Sequence, residues 1–377
     1  MNPEFEIVTS AERLEEVASH CEKQPVLAID TEFARTSTYY PIVGLIQIYD
    51  GESCFLIDPL EVTDLSCLST LLTDDSIVKV FHACSEDIEV FKYCIGVAPT
   101  PVFDTQIAAA MLGDGFSLSY QKLVEKNLSI DVPKEETRSD WLQRPLTDSQ
   151  LQYAALDVIY LFEVYHKQAD NLAKKERLSW VQQECESLPK DIATQIDPHE
   201  YYLKVKNIAR LNRDQLSLLR ELCAWREIKA RSLNVPRNRV VDEKGLLLVA
   251  LNEIQDTSGL QSLANLHPRE VRKHGVEILQ IVQNMDSDKA SELPESILKP
   301  RVSIDNKLLK KLKAIVDTVA ESNTIAPEML AKRRHLEQLL RSVNNKGLYQ
   351  LPNHLTGWRE AVVGNALLDC LKSSSSR

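Results

Sequence analysis

No uninterrupted apolar run in this chain is longer than six residues, far short of the roughly 20 needed for a membrane-spanning helix. No two of the eight cysteines (Cys21, Cys54, Cys67, Cys84, Cys94, Cys185, Cys223 and Cys370) form a CxxC pair. Thiols scattered in this way exclude a zinc ribbon or a disulfide frame and read as reduced core fillers. The N-terminal stretch MNPEFEIVTSAERLEE is acidic and lacks the basic-then-apolar pattern of a signal peptide, so a cytoplasmic location is expected. Nothing resembles a sustained coiled-coil seam, so a monomer is expected. A net charge of −11 excludes a protein coated in basic surface.

The charge is unevenly distributed. Residues 1–190 carry 15 Lys+Arg against 32 Asp+Glu, whereas residues 191–377 carry 29 against 23. An acidic front joined to a basic rear fits a carboxylate-rich site attached to a polyanion-binding module, although two unrelated surfaces would give the same totals. At 377 residues the chain is too long for one ordinary core.

The front reads as α/β. A helix is expected over 10–23 with Ser10 as its cap, and strands over 25–33, 43–50 and 53–59, with Asp50-Gly51 as a hairpin turn. A helix over 65–75 and a strand over 76–83 make a right-handed crossover. Helices follow near 85–95, 104–113 and 117–127, and a long one over 148–178. This predicts a mixed sheet with flanking helices ending near residue 190. The rear reads as all-helical, in two similar pieces. One long helix ends in NVP (234–236) and another in IAP (325–327). The expected division is 1–190 α/β domain, 191–206 linker, 207–287 first helical domain, 288–302 linker and 303–377 second helical domain.

Three acidic points could carry chemistry. In VLAIDTEF, Asp30 and Glu32 share one face of a strand, and two like charges so placed need something positive between them. Arg35 or metal ions could supply it. In VFHACSEDIEVF, Asp87 falls in the first turn of a helix, where acids also serve the helix dipole. A His82–Cys84 nucleophile pair there lacks an orienting partner. In QYAALDVIYLFEVY, Tyr153 and Asp157 are four apart on a nearly all-apolar helix, so the carboxylate must face a partner.

Taken together, D-x-E on a strand, an Asp at the next strand–helix junction and Y-x-x-x-D on a late helix resemble the DEDD exonuclease superfamily in its tyrosine subclass. The segments DTEFARTSTYYPIVGLIQIYDG, FDTQIAAAML and RSDWLQRPLTDSQLQYAALDVIYL are similar to the bacterial ribonuclease D family. LLRELCAWREIKARSLNVP and TIAPEMLAKRRHLEQLL resemble HRDC domains. The resemblance implies a ribonuclease H-like catalytic fold followed by two HRDC-like domains. It also implies hydrolysis of RNA from the 3′ end to nucleoside 5′-monophosphates, with tRNA precursors as a substrate class. On it, Asp30, Glu32, Asp87 and Asp157 are metal ligands and Tyr153 positions the attacking water.

Four carboxylates without His or thiolate form a hard oxygen site, which favours two divalent ions, Mg²⁺ or Mn²⁺. Phe33, His82, Gln47, Trp141 and Arg144 are candidate substrate-binding residues, and Tyr39 and Tyr40 could stack on terminal bases. The ten Lys+Arg within 204–239 and the six within 299–313 are candidates to grip RNA phosphates. A DNA-directed 3′–5′ exonuclease and a catalytically inactive nucleic-acid adaptor are the competing readings.

Overall fold

A computed structural model describes residues 3–375 apart from 133–135, 137–138, 194–195, 253, 286–292, 294–303 and 345–347. Most of the expected second linker, with Lys299 and Arg301, lies outside the described residues. The chain falls into two compact units. The first joins residues 1–33, 43–193 and 302–377, and the second joins 34–42 and 194–301.

The first unit is built on a six-stranded sheet in the order β1-β4-β3-β2-β5-β6. Its strands are β1 (Glu6–Val8), β2 (Val26–Ala34), β3 (Ile42–Tyr49), β4 (Cys54–Ile57), β5 (Val78–Phe81) and β6 (Val102–Asp104). The β3/β4 hairpin is antiparallel, while β1/β4, β2/β5 and β5/β6 are parallel. Strands β1 and β6 were not expected from the sequence. Each has only three residues, too few for a period-two pattern to show.

Alternation divides the sheet's side chains between two layers. Leu27, Ile29, Ile46, Ile48, Phe55 and Ile57 face one layer, covered by α1 (Ala11–Cys21), α2 (Leu68–Thr73) and α3 (Ser85–Cys94). Ala28, Leu45, Leu56 and Val80 face the other, where α4 (Thr105–Leu112) and α6 (Asp148–Lys174) pack. A shorter helix, α5 (Tyr120–Leu128), lies beside α6. The α6 sequence places Ala154, Ala155 and Val158 on its sheet-facing side, and the small alanines allow close approach. Thr147 and Gln150 form a capping box that fixes where α6 begins.

The expected 148–178 helix breaks at its end. Glu176 adopts a left-handed φ of 56°, and a new helix, α7 (Leu178–Ala193), begins. The Arg177 side chain is drawn inward, where Nη1 donates to Met111 O at 2.9 Å and Thr324 O at 3.3 Å. Carbonyls at a helix C-terminus carry partial negative charge, so a buried guanidinium there is compensated.

Thr324 belongs to the C-terminal helices, which share the apolar layer of α4 and α7. Trp358 stacks on Trp180 with ring centroids 4.8 Å apart, and Ala326 N donates to Ala110 O at 2.9 Å. Gly113, with φ 83°, ends α4. A Cβ there would lie 2.7 Å from Thr324 O, so only glycine permits both the turn and the approach.

The second unit centres on α8 (Arg213–Leu233), packed with α9 (Arg237–Val240), α10 (Glu243–Leu251), α11 (Thr257–Ser262) and α12 (Pro268–Gln283) around Leu219, Leu222, Leu246 and Ile278. The segment 34–42 belongs to this unit. In it, the Tyr39 hydroxyl donates to Glu227, and Asn234 Oδ1 accepts from Tyr39 N and Tyr40 N, each at 3.1 Å.

The internal repeat has a structural counterpart. Asn234 ends α8 and Thr324 ends α13 (Asn306–Asn323), both in left-handed conformation. Each is followed after two residues by a one-turn helix, α9 and α14 (Pro327–Leu330). The equivalence runs at 90 residues, one less than the spacing of the two prolines. Two further helices, α15 (Arg333–Arg341) and α16 (Asn365–Ser375), complete the C-terminal segment.

Candidate active site

The sheet and its two layers bring the sequence-distant acids to one place. Asp30 lies at the middle of β2 with Glu32 two residues further on, and both point to the α6 side, following Ala28. Asp157 comes from α6 on that side. Asp87 comes from the first turn of α3, on the opposite layer, where the helix N-terminus favours a carboxylate. All four line one cavity of about 280 Å³ together with Thr31, Phe33, His82, Glu86, Tyr120 and Tyr153. One carboxylate oxygen from each of Asp30, Glu32 and Asp157 lies within 4.8 Å of the others.

Among the described residues, burial and neighbouring carboxylates dominate this packing, and no cationic side chain is among the groups that act on it. Burial, then the neighbouring carboxylates, push the Glu32 carboxyl up to about 9. Burial pushes Asp157 up to about 7, against a hydrogen bond from Tyr153 that lowers it. Asp87 is pushed up to about 6 by burial, partly offset by hydrogen bonds from Thr31 and a backbone N–H. Asp30 is raised well above the usual carboxylate range, first by burial and then by Asp87, Glu32 and Asp157. Asp157 Oδ1 is buried without a hydrogen-bond partner among the described residues. Arg35, the protein cation considered for this role, donates from Nε to Tyr39 O at 3.2 Å.

Converging carboxylate oxygens with an unsatisfied buried acceptor among them fit a hard divalent cation. Asp30, Glu32 and Asp157 would hold it, with Asp87 on the facing wall.

Neighbouring groups fix the scaffold of the cavity. The Tyr120 hydroxyl donates to the backbone carbonyl of Asp157, clamping the turn of α6 that carries both Tyr153 and Asp157. His82 Nε2 donates to Leu118 O at 3.1 Å, and its ring meets Tyr120 edge-on at 5.5 Å. Asp104 accepts from Ala83 N and Cys84 N at the start of α3 and also caps α4. Burial pushes the Cys84 thiol far up, so it supplies no thiolate for a His82–Cys84 pair.

Phe33 and His82 therefore lie at the cavity, whereas Gln47, Trp141 and Arg144 do not line it. Gln47 is fully buried on β3. Arg144 is committed to Asp58, with Nε to Oδ2 at 2.5 Å and Nη2 to Oδ1 at 2.7 Å, and also donates to Gly44 O. Trp141 is buried against Tyr153 with centroids 6.3 Å apart. Tyr39 is engaged by Glu227 and by Arg237, whose guanidinium lies 4.9 Å over the ring. Thr31 and Tyr120 escaped the sequence reading. A threonine between two acids and a tyrosine opening a helix carry no signal until the layers are assembled.

The basic residues divide in the same way. Arg226 is buried and donates to Val241 O, and Arg231 and Arg237 pair with the buried Glu227. Lys204, Lys206, Arg210, Arg213 and Arg239 are exposed, as are Lys307, Lys310, Lys311 and Lys313 on α13. Among the described residues no helix is long and apolar enough to cross a membrane.

The fold and its carboxylate cavity define a nuclease of the 3′–5′ exonuclease class, and the 3′–5′ exonuclease family model matches residues 5–173. An HRDC domain model matches residues 215–282, and the model of the ribonuclease D C-terminal HRDC domain matches 306–367. Ribonuclease D of Pseudomonas paraeruginosa is 43% identical over 372 residues, covering 99% of each chain. That of Escherichia coli K12 is 36% identical over 378 residues, covering 98% of each. The crystal structure of Escherichia coli RNase D, described as an exoribonuclease involved in structured RNA processing, superposes with a TM-score of 0.87, covering 98% of this chain and 99% of that one. The chain belongs to the ribonuclease D family and is an exoribonuclease by that membership.

Proposed function

We propose that this enzyme removes nucleotides stepwise from the 3′ end of RNA by hydrolysis assisted by two divalent cations, Mg²⁺ or Mn²⁺, releasing nucleoside 5′-monophosphates. The observation that carries this reading is the set of Asp30, Glu32 and Asp157 oxygens within 4.8 Å of one another, with pKa values displaced upward. Carboxylates so placed must be neutralised, by protons in the empty site or by bound cations. Bound divalent ions supply an activated water and stabilise charge on the scissile phosphate and leaving oxygen.

The chain's own groups do the remaining work. Asp30 and Glu32 fix the ion-binding edge on a rigid strand, while Asp157 and Asp87 close it from the two layers. Tyr153, on the same wall as Asp157, orients the attacking water through its hydroxyl. Its hydroxyl also bonds Asp157, which suits it to aiming the water and not to taking its proton. Phe33 offers an apolar face to the terminal base. The exposed lysines of α13 and those around 204–213 hold phosphates of the RNA body, giving position with little sequence choice. Transfer RNA precursors, with a single-stranded 3′ end on a structured body, fit this division of labour. A cytoplasmic monomer is the working form.

The test is an assay on 3′-labelled single-stranded RNA and DNA with Mg²⁺, Mn²⁺ or excess EDTA. Stepwise mononucleotide release from RNA, abolished by EDTA, is expected. Equal release from DNA would favour the proofreading-type reading, and no release from either would favour the inactive adaptor.

A further inference from the structure

We infer that Thr31 is a positioning residue for the metal site, orienting Asp87 through a hydroxyl–carboxylate hydrogen bond; this rests on the metal reading above. Thr31 lies between the two strand acids, so alternation sends its side chain to the opposite face from Asp30 and Glu32. That face, shared with Leu27 and Ile29, meets α3 through Ile88 and Phe91. It is also the face from which Asp87 approaches. Thr31 Oγ1 donates to Asp87 Oδ1 at 2.5 Å, and both residues are buried, with 5% and 7% exposure.

The geometry gives this bond a task. Asp30, Glu32 and Asp157 converge from one side of the sheet, whereas Asp87 must reach the same cavity from the other. Asp87 faces the combined negative field of those acids, so repulsion tends to turn its carboxylate away. A neutral donor from the strand itself holds Oδ1 and leaves Oδ2 outside that bond. An ammonium or guanidinium there would compete with a cation for Asp87; a hydroxyl does not. Groups that orient a metal ligand from behind alter metal affinity about 10–100-fold when removed.

The test measures Mn²⁺ uptake by electron paramagnetic resonance on the full chain without RNA, for wild type, Thr31→Val, Thr31→Ser, Asp87→Asn and the double variant Thr31→Val/Asp87→Asn. Thr31→Val should weaken uptake about tenfold or more, while Thr31→Ser stays within about twofold because the hydroxyl remains. The double variant should match Asp87→Asn alone, since the two residues act as one unit. RNA affinity in EDTA should be unchanged in Thr31→Val.

Wild-type uptake in Thr31→Val overturns the inference, as do equal losses in Thr31→Ser and Thr31→Val or additive losses in the double variant. A wild-type chain that takes up no Mn²⁺ overturns the metal reading and this inference with it. Should Thr31→Val fail to fold, Thr31→Ala is judged by the same criteria.

Discussion

Arg359 lays its guanidinium across Glu184, with Nη1 to Oε1 and Nη2 to Oε2 both at 2.6 Å, while Nε donates to Met329 O at 2.6 Å. This bidentate pair joins the C-terminal segment to α7 inside one unit, beside the stacked Trp180 and Trp358. Burial alone would raise Glu184, yet Arg359 holds its carboxyl below the usual range. Glu184→Gln or Arg359→Ala should destabilise the protein by about 3–5 kcal/mol, because each leaves a charge or its partners stranded. The paired change Glu184→Leu/Arg359→Met should recover much of that loss. Thermal unfolding of the four proteins checks this, and equal loss in single and double variants would show that the pair is not the source.

Deleting residues 302–377 should yield a chain that does not fold, since Leu312, Val316, Leu339 and Leu367 share one apolar cluster with the sheet layer. Soluble expression and circular dichroism test this. A stable, active truncation would mean that the cluster contributes little.

The metal-free protein should lose stability as pH rises. Asp87, Asp157 and Glu32 hold their protons more tightly folded than unfolded, with values raised to about 6, about 7 and about 9. Their stabilising effect is complete below the unfolded values near 4 and is lost as pH climbs through the folded ones. The melting temperature in EDTA should therefore fall between pH 5 and 9, Mg²⁺ should reverse the fall most strongly at high pH, and Asp157→Asn should flatten the profile. A flat wild-type profile in EDTA would contradict the crowding of these acids.

Tyr153→Phe should lower turnover by roughly 10²-fold with RNA affinity nearly unchanged. Its hydroxyl bonds Asp157, so the variant also leaves Asp157 with one donor fewer. Single-turnover rates alongside binding in EDTA separate the two roles. Selective loss of affinity would assign Tyr153 to substrate holding.

Replacing Lys307, Lys310, Lys311 and Lys313 by Gln should make the logarithmic salt dependence of RNA binding shallower by up to about 3, taking about 0.7 per phosphate contact on a single strand. Titration of binding against KCl measures the slope, and an unchanged slope would return these lysines to ordinary solvated surface.

Sequence alone determined the strand carrying Asp30 and Glu32, the helix turn carrying Asp87 and the four-residue step from Tyr153 to Asp157. Each is written in local periodicity, which a single segment displays by itself. The breaks at Pro236 and Pro327 are equally local. Only the tertiary structure decided that Thr31 meets Asp87, that Tyr120 clamps Asp157, and that Arg144, Arg231 and Arg237 are structural ties. It also decided that the last helices join the catalytic unit while 34–42 joins the other. These outcomes depend on which faces meet across distant segments. The same arginine or hydroxyl is a ligand-binding group on an open surface and a strut in a closed one, and burial by remote elements makes that choice.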